Sequence, residues 1–388
     1  MDKNKIQENE KRKEKRKLGG EDRFLLCMIA FMILEILLLA CLLAGPIGSL
    51  IEGMPMQGSG PDTGGSETDP GTEPEPQTSP IFANGQIPTY PWTGPDTASI
   101  TVDVASKYAA LVKASSGEIL ASLDAGVKFS PASMTKVMSL IVACENLTEE
   151  DLERRLVFTQ DVVDYCTSGD YVGTVTALIP SREQIPQYLN DEFRIIDLLY
   201  GIGVPSASDC VYMIYREISG SEEAFVELMN QKAQELGLRD THFDNAVGYE
   251  SENHYTTASD MAVILAYAVQ NELIADILGR TEIYTYKGYY LKDGEEATYP
   301  RQFSSSFGER LTSYKNTYKE DFFLQNATLL GAKTGYLEDA DGVKNHCLAF
   351  FCRGKTDGEI YVLILGGGED YQHRTMKDVK DIIDAYLK

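Results

Sequence analysis

A chain of 388 residues with 43% apolar side chains is long enough to bury one large core or two ordinary ones. Its formal charge of −24 excludes a nucleic-acid backbone as partner, because like charge repels the phosphates. Seven cysteines without a C-x-x-C pair exclude a disulfide framework and a zinc ribbon, and His242, His254, His346 and His373 have no metal-ligand spacing, so neither metal nor cofactor is implied.

Residues 1–23 carry nine Lys/Arg against six Asp/Glu, and an apolar run, residues 24–51, follows. Its first part, Phe24 to Ala44, is 21 residues. As a helix it spans roughly 30 Å, the thickness of one bilayer core. The basic flank predicts a cytoplasmic tail, a single-pass anchor and an extracytoplasmic remainder. Glu35 is a polar blemish in that anchor, and Leu38-Leu39-Ala40-Cys41 faintly resembles a lipoprotein cleavage box. The apolar residues Leu42-Leu43-Ala44 beyond it favour an uncleaved span. Residues 52–98 read as an acidic, Pro/Gly-rich linker, with no Lys or Arg between Glu52 and Ser106.

From residue 99 the pattern becomes that of a folded domain reaching residue 388. Tyr108 to Ala114 and Glu118 to Leu123 flank Ser115-Ser116-Gly117 as a hairpin; His346 to Arg353 and Glu359 to Leu365 form a second. Helical periodicity dominates between them, over Ile195 to Ile214, Glu222 to Leu236 and Thr257 to Gln270. A closing helix, Met376 to Leu387, puts Val379, Ile382, Ile383 and Leu387 on one face. The expected architecture is α/β (α+β): one antiparallel sheet made from both ends of the domain, flanked by helices, and a mainly helical lobe across a cleft. Tyr284, Tyr286, Tyr289 and Tyr290 read as a packed hairpin before a sugar groove, and the five cysteines beyond the anchor as small core residues.

Three short motifs carry chemistry. In Ser133-Met134-Thr135-Lys136 the lysine lies one helical turn from the serine and can take its proton, while the helix start favours an oxyanion. Such a base must be neutral, which requires desolvation or a nearby cation, a role open to Lys333. Alone the spacing means little, since about one is expected by chance in a chain this long. Ser206 and Ser208 follow an apolar run interrupted by Gly201, Gly203 and Pro205. Ser206 suits a proton relay; a helix cap by either serine is the plainer reading. Lys333-Thr334-Gly335 reads as a strand edge suited to an extended peptide. Lys333 and Thr334 would hold a carboxylate, Gly335 would let the ligand backbone approach, and the Tyr336 N–H would join the Ser133 N–H as an oxyanion hole.

In this order the three motifs resemble those of the serine-active D-alanyl-D-alanine carboxypeptidases, the low-molecular-weight penicillin-binding proteins of peptidase family S11. Thr241-His242-Phe243-Asp244-Asn245 and His254-Tyr255-Thr256-Thr257-Ala258 resemble a further signature of that family, and the likeness covers roughly residues 100–385. It implies a β-lactamase/transpeptidase-like fold, Ser133 as nucleophile, Lys136 as base, Ser206 as second-motif serine, and a substrate strand at Lys333, Thr334 and Gly335. It also implies release of the terminal D-Ala from peptidoglycan stem pentapeptides through an acyl-enzyme, with β-lactams acylating the same serine. Two departures stand out. The second motif is usually Ser-x-Asn, and here Ser208 takes the asparagine's place. Many members also continue into a β-rich domain and a C-terminal membrane helix, whereas this sequence ends soon after its last strand. A β-lactamase lacks support because no Glu-x-x-x-Asn segment lies between Ser208 and Lys333. A degenerate peptidoglycan-binding module is the third reading, motivated by Ser208.

Overall fold

The alternation of buried positions explains how the strands assemble. In the computed structural model, which describes residues 79–167, 177–178, 188–338, 342–369 and 372–388, the ten strands are β1 (Trp92–Ser99), β2 (Tyr108–Lys113), β3 (Glu118–Leu123), β4 (Arg155–Val157), β5 (Glu192–Arg194), β6 (Tyr284–Lys292), β7 (Glu295–Phe303), β8 (Ala327–Glu338), β9 (Lys344–Gly354) and β10 (Ile360–Gly368). The expected basic tail, anchor and most of the linker lie outside the described residues. Among those described, no single helix is long and apolar enough to cross a membrane.

A six-stranded sheet runs in the order β1-β3-β2-β10-β9-β8. The two ends of the folded domain meet at its centre, where β10 pairs antiparallel with β2 (Leu363 opposite Leu111, Val362 opposite Val112). Ala110, Val112, Phe351, Val362 and Ile364 pack into the core of the helical side. Their neighbours Ala109, Leu111, Phe350, Leu363 and Leu365 pack into a second core on the other face. Both faces are covered, which is why these strands read as unbroken apolar runs.

Two expectations need correction. The sheet is not wholly antiparallel: β1 runs parallel to β3, and the register slips between Thr93 and Ala98. Gly94 and Pro95 fall within that slip, where an edge strand tolerates a missing donor. The expected linker boundary at residue 98 also moves earlier. Strand β1 occupies residues 92–99, and before it Phe82 is buried against Tyr267, its N–H donating to Cys144 O.

Nine helices complete the described residues: α1 (Thr135–Asn146), α2 (Gln160–Thr167), α3 (Ile195–Gly203), α4 (Ser208–Ser219), α5 (Glu222–Glu235), α6 (Ala258–Ala268), α7 (Glu272–Gly279), α8 (Ser306–Tyr318) and α9 (Gln372–Tyr386). In α1 every residue from Thr135 to Cys144 is buried, so the helix is the axis of the lobe rather than an amphipathic cover. Helices α8 and α9 cover the opposite face of the sheet through Phe307, Tyr314, Met376, Val379, Ile382 and Ile383.

The lobe also holds a second sheet, β4-β5-β6-β7, absent from the expectation. Its β6–β7 hairpin turns at Asp293-Gly294, both with positive φ (55° and 85°), the twist a two-residue hairpin requires. Within it Tyr284 stacks on Tyr200 at 4.1 Å and donates to Asp197, and Tyr286 is buried, so these rings pack the hairpin. Cys144, Cys166, Cys210, Cys347 and Cys352 are buried free thiols.

The helix expected over Ile195 to Ile214 is two helices, α3 and α4, broken at residues 204–207. Close packing sets the break. A Cβ on Gly201 would lie 2.3 Å from Cys210 Sγ, and one on Gly203 2.1 Å from Ile277 Cγ2. Gly203→Ala should therefore destabilise the domain by about 1–3 kcal/mol, offset in part by alanine's helix preference of ~1 kcal/mol. A lowered Tm in thermal unfolding checks this; an unchanged or raised Tm would show that Ile277 yields.

Candidate active site

Pro131, Ala132 and Ser133 form a tight turn into α1. Residues Ala132–Met134 are a short 3-10 helix, and Ala132 has φ 49°, a strained value for a residue with a Cβ. One turn on, Lys136 is 2% exposed, and its Nζ donates to Ser133 Oγ at 3.1 Å and to Val247 O at 2.6 Å. Burial lowers its pKa to about 7, while the carboxylate of Asp209 acts in the opposite direction. Desolvation thus does what the sequence had assigned in part to the charge of Lys333.

The break between α3 and α4 presents Ser206, which is 5% exposed with φ 70°. Its Oγ accepts from Lys333 Nζ at 2.8 Å. Neither Ser206 nor Ser208 caps a helix: the N-cap of α4 is Ala207, without a side-chain cap bond. Ser208 opens α4, is 1% exposed, and its Oγ has no hydrogen-bond partner among the described residues. Next to it the buried Asp209 carboxylate accepts from the N–H groups of Ala177, Leu178 and Cys210 at 2.9–3.0 Å. Burial nevertheless pushes its pKa up to about 6.

Strand β8, last in the sheet order, supplies the third wall. Lys333 is fully buried; desolvation, then the charges of Lys136 and Arg310, hold its pKa well below the ordinary lysine range. Thr334 Oγ1 lies 2.8 Å from Ser306 Oγ, and Ser306 donates through its N–H and its hydroxyl to Val204 O. The N-terminus of α8 thereby ties β8 to the turn carrying Ser206. Gly335 has a further use beside the one expected: a Cβ there would lie 3.1 Å from Pro131 O and 3.2 Å from Ala132 Cβ. Its bareness admits the nucleophile turn. Tyr336 is 45% exposed, its hydroxyl on Glu338.

So Ser133 with Lys136 and Ser206 with Lys333 form two hydrogen-bonded pairs whose lysines are close enough for the charge of one to act on the other. Sequence reasoning missed Arg310, a fully buried guanidinium donating to Gly335 O at 2.7 Å and to Thr375 Oγ1 at 2.9 Å, its pKa lowered by burial to about 10. It also left His254 as structural, which fits. The His254 Nδ1 accepts from the Asp244 N–H at 3.0 Å, so its proton sits on Nε2 and donates to Thr135 Oγ1 at 2.7 Å. Burial lowers that imidazole to about 4, so it is neutral at physiological pH.

A family model described as D-alanyl-D-alanine carboxypeptidase matches residues 95–342. The D-alanyl-D-alanine carboxypeptidase DacF of Bacillus subtilis is 31% identical over 179 residues, 46% of this chain and 43% of the relative. DacA of Escherichia coli K12 is 28% identical over 180 residues, 46% and 41% of the two chains. These matched stretches cover less than half the length of those curated relatives. The crystal structure of the Streptomyces K15 DD-transpeptidase superposes with a TM-score of 0.58 at 21% identity, covering 74% of this chain and 98% of the other. That likeness shows a shared fold, the β-lactamase/transpeptidase-like one.

Asp209 raises the pKa of Lys136, so Asp209→Asn should move it lower still. The 13Cε shift of isotopically labelled lysine, followed against pH, should give a midpoint of about 7 in the parent chain and a lower one in the variant. Midpoints above 10 in both would contradict the burial of this amine.

Proposed function

The chain belongs to the D-alanyl-D-alanine carboxypeptidase family, and on that premise we propose that it is a serine D,D-carboxypeptidase acting on peptidoglycan stem peptides. The observation that carries the reading is the buried Lys136 amine, able to be neutral near pH 7, 3.1 Å from Ser133 Oγ. Lys136 takes the hydroxyl proton as Ser133 attacks the carbonyl of the penultimate D-Ala. The N–H groups of Ser133 and Tyr336 receive the oxyanion. Ser206, held by Lys333, relays a proton to the departing D-Ala amine, and water then hydrolyses the acyl-enzyme.

Lys333 and Thr334 receive the terminal carboxylate of the substrate. Lys333 suits this because its charge is suppressed by burial, by Lys136 whenever that amine is protonated, and by the Arg310 guanidinium. An incoming carboxylate supplies the missing counter-charge and draws a proton back onto it. Gly335 keeps β8 close to the nucleophile turn, and Ser208 stands at the position that the resembled Ser-x-Asn motif gives to an amide. β-Lactams acylate Ser133 by the same route. Residues 24–51 anchor the chain as a single membrane pass with its catalytic domain outside, and residues 52 to about 78 tether it.

A fluorescent penicillin should label the purified protein at Ser133, and Ser133→Ala should abolish labelling. No labelling of the intact chain would count against the assignment. Rapid turnover of a chromogenic cephalosporin would select a β-lactamase instead, and binding of a pentapeptide without D-Ala release would select a binding module. A serine hydroxyl offers one donor where an asparagine amide offers two donors and an acceptor. Ser208→Asn is therefore expected to raise the rate of D-Ala release; no gain would mean that the unpartnered hydroxyl is tuned to this enzyme's substrate.

A further inference from the structure

We propose that the loop Asn245–Tyr249 is a clamp that aims the amine of Lys136 at Ser133, with Asn245 as its positioning residue. The inference rests on Ser133 and Lys136 being nucleophile and base. Asn245 is 5% exposed, and its Oδ1 gathers three successive N–H groups: Val247 at 3.2 Å, Gly248 at 2.8 Å and Tyr249 at 2.9 Å. Its Nδ2 donates to Tyr249 O at 2.9 Å. One side chain thereby fixes the curvature of the loop and the direction of its carbonyls.

Those carbonyls meet the nucleophile helix. Val247 O accepts from Lys136 Nζ at 2.6 Å, and Ala246 O accepts from Ser139 Oγ at 2.6 Å, one turn along α1. The Ala246 N–H is held from outside by Glu222 at 3.0 Å. Gly248 has φ +85°, and a Cβ there would lie 1.9 Å from Ala132 O. The loop therefore bears on the strained residue before Ser133 and on the amine beyond it.

The chemistry of an amine gives this contact its meaning. Neutral lysine has two N–H bonds and one lone pair. With one N–H fixed on Val247 O, the second N–H and the lone pair are left on the side of Ser133, and a rotation about Cε–Nζ exchanges the donor contact to Oγ for a lone pair facing its hydroxyl. After proton transfer the same carbonyl accepts from the ammonium, which would otherwise be buried without a partner at a cost of several kcal/mol. The loop also keeps water from the amine. The other titratable groups facing Lys136 are Asp209 from α4, Lys333 from β8 and His254, which lies against Thr135.

The test is the rate of penicillin acylation of the full chain between pH 6 and pH 10, for the parent, Asn245→Ala and Gly248→Ala. Loosening the loop hydrates the amine and moves its pKa back toward that of free lysine. Both variants should be acylated ~10-fold or more slowly at pH 7. The half-maximal rate should move up by about one pH unit or more, recovering part of the loss at pH 9–10. Labelling at long times counts the folded molecules, so the rate is expressed per competent site. An unchanged profile, or a loss equal at every pH once so normalised, would overturn the clamp. A parent chain that is not labelled at all would overturn the reading of Ser133, and the clamp with it.

Discussion

Taking the amine of Lys136 out of water is the constraint around which the rest of the site is arranged. A lysine exposed to solvent is protonated at neutral pH and cannot act as a base. Here α1 is buried along nearly its whole length, so among the described residues the amine hydrogen-bonds only to Ser133 Oγ and Val247 O, and its pKa falls to about 7. Lys333 is subject to the same effect more strongly, because it also meets the charges of Lys136 and Arg310. Asp209 sets a limit in the other direction: its carboxylate, held by three backbone N–H groups, keeps Lys136 from falling further. The pocket is thus short of negative charge, a state that favours an anionic ligand.

Backbone strain accompanies this burial. Ala132 and Ser206 are two of the few described non-glycine residues with positive φ, and they stand beside or at two of the proposed catalytic hydroxyls. Each such residue costs of order 1–3 kcal/mol and persists only where its surroundings dictate it. The surroundings here are two bare glycines, Gly248 against Ala132 O and Gly335 against Pro131 O, and the Ser306 bridge between Val204 and Thr334. Rigid elements from the lobe, the sheet and α8 therefore converge on one turn, which is how groups distant in sequence hold fixed geometry.

The legible parts of the site were local. Ser133 and Lys136 are one helical turn apart, so their contact follows from spacing, and Lys333 to Gly335 lie consecutively on one strand. Both hairpins and the closing helix also follow local periodicity. What sequence did not disclose depends on packing. Arg310 and Asn245 act by bonding backbone carbonyls and N–H groups, a use that no spacing announces. Pro205 marks the break in the sequence, but the turn is completed by Ser206, a non-glycine residue at φ 70°, which nothing local announces. The parallel pairing of β1 depends on a crossover around β2. Sequence left desolvation and a neighbouring cation both open as the cause of a lowered Lys136 pKa, because burial is a property of the folded chain alone.

The most direct measurement is the rate constant for acylation of Ser133 by a β-lactam as a function of pH. If a buried, neutral Lys136 is the base, the rate rises through a midpoint of about 7 and levels off above it. A rate independent of pH from 6 to 9, or one that rises only above pH 9 as for a solvated lysine, would contradict the account.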